Sequence, residues 1–204
     1  MAESMTERFG ASARFAPNKK DMKKNIIIYG LIAGIIVSIL MLFSVNYLSH
    51  SKGIDYNTSL LIGYASMLIA FSLVFVGIRN YRDKYNNGVI SFGKAFRIGL
   101  FIVLIASTIY VVAWLIDFYF FIPDFMDKYS ASMVSELKAS GASQVEIDKQ
   151  TTEMANMTAM LKNPFFNAMM TYVEILPVGL VVALISALVL KRKSSPDRAG
   201  QSYA

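Results

Sequence analysis

Residues 98–117 read IGLFIVLIASTIYVVAWLID, nineteen residues without a charge that end at Asp117. At ~1.5 Å per residue, such a run in helical form crosses the ~30 Å hydrocarbon layer of a bilayer. Working outward from it, three more windows of this kind occur, so that the chain predicts spans at about 26–45, 60–78, 98–121 and 165–190. Overall the 204 residues are 55% hydrophobic with a mean hydropathy of +0.47, a total that a soluble domain could approach. It is the distribution that decides the fold class, because charge is excluded from the four windows and crowded between them. The expectation is an all-α integral membrane bundle of four transmembrane helices, with an extracytoplasmic helical hairpin between spans three and four.

The first window is too long for the apolar core of a typical signal peptide, and no small-residue cleavage site follows it, so it is expected to be retained. Flanking charges predict its orientation. Fifteen of the twenty Lys and Arg residues fall in the N-terminal arm, in the segment Arg79 to Arg97, or after Leu190, and five fall on the other side. The positive-inside rule then places both termini in the cytoplasm. Tyr29, Tyr47, Tyr81, Trp114, Tyr119 and Tyr172 lie near the predicted span ends, where amphipathic rings prefer to sit.

Outside the spans, residues 1–24 are expected to form a disordered basic cytoplasmic arm, 25–193 the membrane domain, and 194–204 a disordered cytoplasmic tail. Asn86-Asn87-Gly88 signals a turn, and Ser91 can cap a short interfacial helix beginning at Phe92 that leads into span three. Residues 122–164 predict the outer hairpin. Pro123 suits a first helical position, and Phe125, Tyr129, Met133 and Leu137 recur every four residues. Gly141 ends that helix. Ser143-Gln144-Val145-Glu146 has the form of a capping box, starting a helix with Ile147, Met154, Met157 and Leu161 on its apolar face. Asn163-Pro164 breaks it before span four.

Several function classes are excluded by composition. Without cysteine, the chain has no disulfide, thiolate site or cysteine nucleophile, and with His50 as its only histidine it has no multi-histidine metal cluster. A net charge of +6 would fit nucleic acid, but the basic residues flank the spans and form no single stripe, so no nucleic-acid partner is expected. Twelve methionines follow helical faces and point to packing more than to Cu(I) binding. No cofactor is expected.

Two acids need explaining, Asp117 at the end of span three and Glu174 in span four, since charges at membrane depth usually face a partner or water. With Asn46 nearby and Pro177 loosening the helix, Glu174 and Asp117 form a candidate polar site opening outward. The plainer alternative is an interfacial acid hydrogen-bonded to a neighbouring span. Two small-residue stripes complete the candidates: Gly30, Gly34 and Ser38 on span one, and Gly179, Ala183 and Ala187 on span four. Measured from the cytoplasmic boundary they lie at roughly 6, 12 and 18 Å and roughly 16, 10 and 4 Å. These matching depths predict a packed pair of spans one and four; a homodimer contact through Gly30 and Gly34 is the competing expectation.

Lys23-Lys24-Asn25, the Gly-Leu-Ile-Ala-Gly of 30–34, the stretch from Gly63 to Tyr85, the Gly-Val-Ile-Ser-Phe-Gly-Lys-Ala-Phe of 88–96, and the run from Phe121 to Tyr129 together resemble bacterial domain-of-unknown-function family 4199. That resemblance implies a bacterial inner-membrane protein and supplies no activity and no site. The residues therefore favour a non-enzymatic accessory, scaffold or partner-binding subunit. Its partners would be the lipid bilayer and a protein at the outer hairpin or the interfacial helix, and a homo-oligomer is compatible with it. The alternative is a small oligomeric transporter or channel centred on Glu174 and Asp117. An enzyme acting on lipid-linked substrates ranks third, for want of a nucleophile or a neighboured acid–base pair.

The absence of cysteine makes the predicted orientation directly testable. Ser140→Cys is expected to react with a membrane-impermeant maleimide in intact spheroplasts, and Asn87→Cys only after lysis. The opposite labelling pattern would invert the topology.

Overall fold

A computed structural model describes residues 19–50 and 56–192, with the backbone alone for 46–50, 56, 57, 59 and 60. It contains α1 (Lys19–His50), α2 (Tyr56–Asn80), α3 (Phe92–Ile116), α4 (Phe125–Ala139), α5 (Gln144–Leu161) and α6 (Pro164–Leu190). Two π-helical segments, Tyr81–Tyr85 and Asp117–Phe121, prolong α2 and α3. Helices α1, α2, α3 and α6 are long and apolar enough to cross a membrane. They are also apolar on both sides. Ile39, Phe43, Leu61 and Val189 are exposed while Val37, Phe71, Ile98 and Ile175 are buried, the pattern of helices whose outer surface meets lipid. We call the end where α1 begins and α6 finishes the terminal end, and the opposite end, carrying α4 and α5, the hairpin end.

Helix α3 packs along both α1 and α6, and α2 also packs along both, which leaves α1 and α6 across the diagonal of the bundle. This corrects the expected pairing of spans one and four. Each small-residue stripe is turned toward α3 instead. A Cβ placed on Gly34 would lie 2.7 Å from Ile109 Cδ1 and 3.1 Å from the Ala106 Cα, and one on Gly30 would lie 2.8 Å from Ile105 Cβ. From the other side, a Cβ on Gly179 would lie 2.5 Å from Val103 Cγ1, and Ala183 packs beside Gly99. Ala187 is fully buried, and the Ser38 hydroxyl donates back to the Gly34 carbonyl at 2.8 Å. Without a hydrophobic drive between helices in lipid, this close approach is what lets dispersion contacts accumulate.

Element boundaries moved in three places. Lys19 to Lys24 are the opening turns of α1, not part of a disordered arm; residues 1–18 and 193–204 lie outside the described residues. The interfacial helix expected at Phe92 is the beginning of α3 itself, a single helix with Ser91 as its N-cap and Ala95, Ile98 and Gly99 buried. Pro123 sits in the turn before α4, which starts at Phe125.

At the terminal end, the segment after α2 folds back on α6. Asn87 and Gly88 take positive φ values of 53° and 73°, and the turn brings Ile90 against Arg192 with reciprocal backbone hydrogen bonds of 3.0 and 2.9 Å. The Arg82 guanidinium donates to the Leu190 carbonyl at 3.4 Å, satisfying an acceptor left over at the end of α6. Lys94 donates to Asn86 Oδ1 at 2.9 Å and lies 5.0 Å from the centre of the Tyr81 ring.

The hairpin forms as expected. Gly141 at φ +78° ends α4, and the capping box closes in both directions. Glu146 Oε2 accepts from the Ser143 backbone N–H and hydroxyl, each at 2.9 Å, and the Glu146 N–H donates to Ser143 Oγ at 3.3 Å. Those two donors hold the Glu146 carboxyl below its ordinary range. Asn163 accepts from the N–H groups of Phe165 and Phe166, and Pro164 opens α6 where its missing N–H costs nothing.

Candidate functional site

Two side-chain hydrogen bonds set the register of α3 against α6. Trp114 Nε1 donates to Asn167 Oδ1 at 3.0 Å, and the Tyr172 hydroxyl donates to Thr108 Oγ1 at 2.9 Å. Asn167 is almost wholly buried, and the Thr171 hydroxyl donates to its backbone carbonyl at 2.9 Å, so the polar contact is supported from the next turn. Around Trp114 stands an aromatic cluster: Phe118 and Phe125 lie 5.5 and 5.4 Å from it, centre to centre. Tyr119 ties the end of α3 to the end of α5 by donating to the Leu161 carbonyl at 2.7 Å. Sequence reasoning missed this cluster. Its readable signal was Asn167, an amide in an apolar run, which its nearness to the Asn163-Pro164 boundary disguised.

Asp117 opens the π-helical segment at the hairpin end and is 5% exposed, with Oδ2 unpartnered. Asn167 Nδ2 and Ser107 Oγ are likewise buried without a partner, as are both side-chain polar atoms of Asn25 at the other end of the bundle. Such groups are uncommon in folded proteins and mark positions where a small polar guest, water first of all, can be held.

Glu174 is placed differently. The register puts it level with about Ser107, roughly ten residues and so ~15 Å along the bundle axis from Asp117. Its residue is exposed on the flank of α6, and among the described residues no hydrogen bond or ion pair reaches it. Tyr110 on α3 lies within electrostatic range. The structure therefore does not gather Glu174 and Asp117 into one polar site, and among the described residues no neighbouring span supplies a hydrogen bond to Glu174. The Asn46 side chain lies outside the described residues, as does that of His50. Pro177 sits inside an uninterrupted α6 and lines two shallow apolar grooves. One of these, about 380 Å³, runs between α2 and α6 along Tyr64, Leu68, Pro177, Val178 and Val181. Among the described residues, no three of His, Cys, Asp and Glu gather where a metal ion could be held.

Because Trp114 is the single tryptophan, its emission reports on the surroundings of this one side chain, the Asn167 contact among them. Asn167→Leu is expected to shift that emission to shorter wavelength and to lower stability in detergent by about 1 kcal/mol, the scale of a membrane hydrogen bond. Unchanged emission and stability would remove the contact from the account.

A family described as Protein of unknown function (DUF4199) matches residues 28–192 of the chain. No curated protein and no solved structure matches it.

Proposed function

The chain belongs to the DUF4199 family of proteins of unknown function, and we propose that it is a non-enzymatic accessory subunit of a bacterial cytoplasmic membrane, docking a protein partner through the α4–α5 hairpin. In this reading both termini are cytoplasmic and the hairpin faces outward, in line with the positive-inside count.

The observation that carries the proposal is the contrast between how completely the hairpin is built and how little of it the bundle uses. Its turn, the start of α5 and the exit into α6 are defined by a positive-φ glycine, a capping box and the Asn163 cap, yet only Met126 and Ile147 of α4 and α5 are buried. The apolar stripes of α4 and α5 are half-buried against each other, and Val145 remains 78% exposed. A rigid, capped surface that the protein itself leaves open suits recognition. The transporter reading draws less support, because the two acids that would line a path stand ~15 Å apart along the axis. The grooves beside them are apolar and open sideways.

The test is co-purification from native membranes in mild detergent. One partner is expected at fixed stoichiometry with the unaltered chain. Ala155→Arg, on the exposed side of α5, should lower its retention about tenfold, ~1.4 kcal/mol, without moving the melting temperature of the bundle. Absence of any stoichiometric partner, or full retention by both Ala155→Arg and Val145→Arg, would contradict the proposal.

A further inference from the structure

Glu174 is an exposed acid on the flank of a membrane-spanning helix, no described residue pairs with it, and an ionisable group there is costly unless a partner meets it. Three observations say what that partner is. The first is geometric. Glu174 lies one turn toward the hairpin end from Val178, on the same side of α6, so it stands at the head of the α2–α6 groove that Val178 lines. That groove is apolar and open, the shape left for another helix.

The second concerns the backbone. On the α6 wall, Pro177 has no N–H to give to the carbonyl of Val173, one turn back, and Val173 is 61% exposed. The Val173 carbonyl, next in sequence to Glu174, is thereby left without its helical donor.

The third is charge. The apolar stretches 26–45, 61–78, 98–116 and 165–190 contain no Lys or Arg. Lys162, the hairpin lysine nearest in sequence to Glu174, lies about twelve residues and so ~18 Å toward the hairpin end, and Lys128 is engaged with Asp124 at 2.7 Å. The apolar stretches of a second copy would bring no cation to Glu174, so charge complementarity favours a different protein.

We infer that the α2–α6 face receives a transmembrane helix of the partner, and that this helix carries a Lys or Arg that pairs with Glu174. The inference rests on the accessory-subunit reading and adds to it a second contact, inside the bilayer, with a stated chemistry. Lys or Arg on the partner segment would otherwise be as isolated as Glu174, so each membrane charge stabilises the other on assembly and disfavours release of either alone.

The experiment places a photo-activatable cross-linking residue at Val181 in the groove, or at Val145 on the hairpin, in the full chain in native membranes. Val181 should form an adduct with a protein other than this chain, whose attached peptide has an apolar span bearing Lys or Arg. Glu174→Leu should reduce that adduct about tenfold, and Glu174→Asp should restore most of it. The Val145 adduct, retained in both variants, shows that the protein is folded and inserted. Val181 adducts consisting only of lipid or of a second copy overturn the inference, as does a peptide without Lys or Arg, or a yield indifferent to Glu174→Leu. If Val145 captures a partner and Val181 does not, the inference falls and the accessory reading stands. If neither position captures one, both fall.

Discussion

The bundle depends on how closely α3 can be approached from two sides. In lipid, apolar side chains gain nothing from leaving the solvent, and helices are held by contact density and the occasional hydrogen bond. Gly30 and Gly34 bring α1 onto Ile105, Ala106 and Ile109, while Gly179 brings α6 onto Val103. Helix α2 closes the remaining side, with Phe71, Val74 and Ile78 fully buried. The diagonal separation of α1 and α6 follows, since each spends its small-residue face on the same central helix. The Trp114–Asn167 and Tyr172–Thr108 hydrogen bonds then fix how far α6 slides along α3.

Both ends of the bundle are finished by pairing backbone groups that the spans leave over. At the terminal end, the Ile90–Arg192 bridge and Arg82 satisfy acceptors beyond α6, and Lys94 links the Asn86 turn to Tyr81. At the hairpin end, π-helical turns continue α3 past Asp117, and Tyr119 reaches the last carbonyl of α5. The hairpin is thereby anchored at both feet while most of its surface stays outside the packed core. That combination of fixed feet and an open surface is what the proposed docking through α4 and α5 draws on, and the proposed second contact at Glu174 lies on another face.

How much of this the sequence could show depended on whether the signal was local. The four spans were legible because charge exclusion over ~20 residues has few other causes. The Ser91 and Ser143 caps and the glycine stop at Gly141 were legible because each acts within four residues. Pairing was not. The stripes of Gly30, Gly34, Gly179 and Ala183 said that close contacts exist, and matched depths chose the wrong partner because α3 offers contact surfaces at the same depths. The side of α6 on which Glu174 lies was hidden for the same reason, since its inward face is defined by where α3 and α2 sit. The continuity of α3 from Phe92 was missed because Lys94 and Arg97 looked like a boundary, whereas Lys94 is absorbed by Asn86 and Tyr81.

The claim that close approach to α3 holds the bundle together makes two glycines of the same chain behave oppositely. At Gly34 an added methyl meets Ile109 and the Ala106 backbone, whereas at Gly63 it meets no atom of the described residues. Thermal unfolding in one detergent should show Gly34→Ala less stable by roughly 1–3 kcal/mol, the cost of overpacking. In the same detergent Gly63→Ala should be unchanged or up to about 1 kcal/mol more stable, from its better helix propensity. Equal effects at the two positions, or a Gly34→Ala protein as stable as the unaltered chain, would contradict the account.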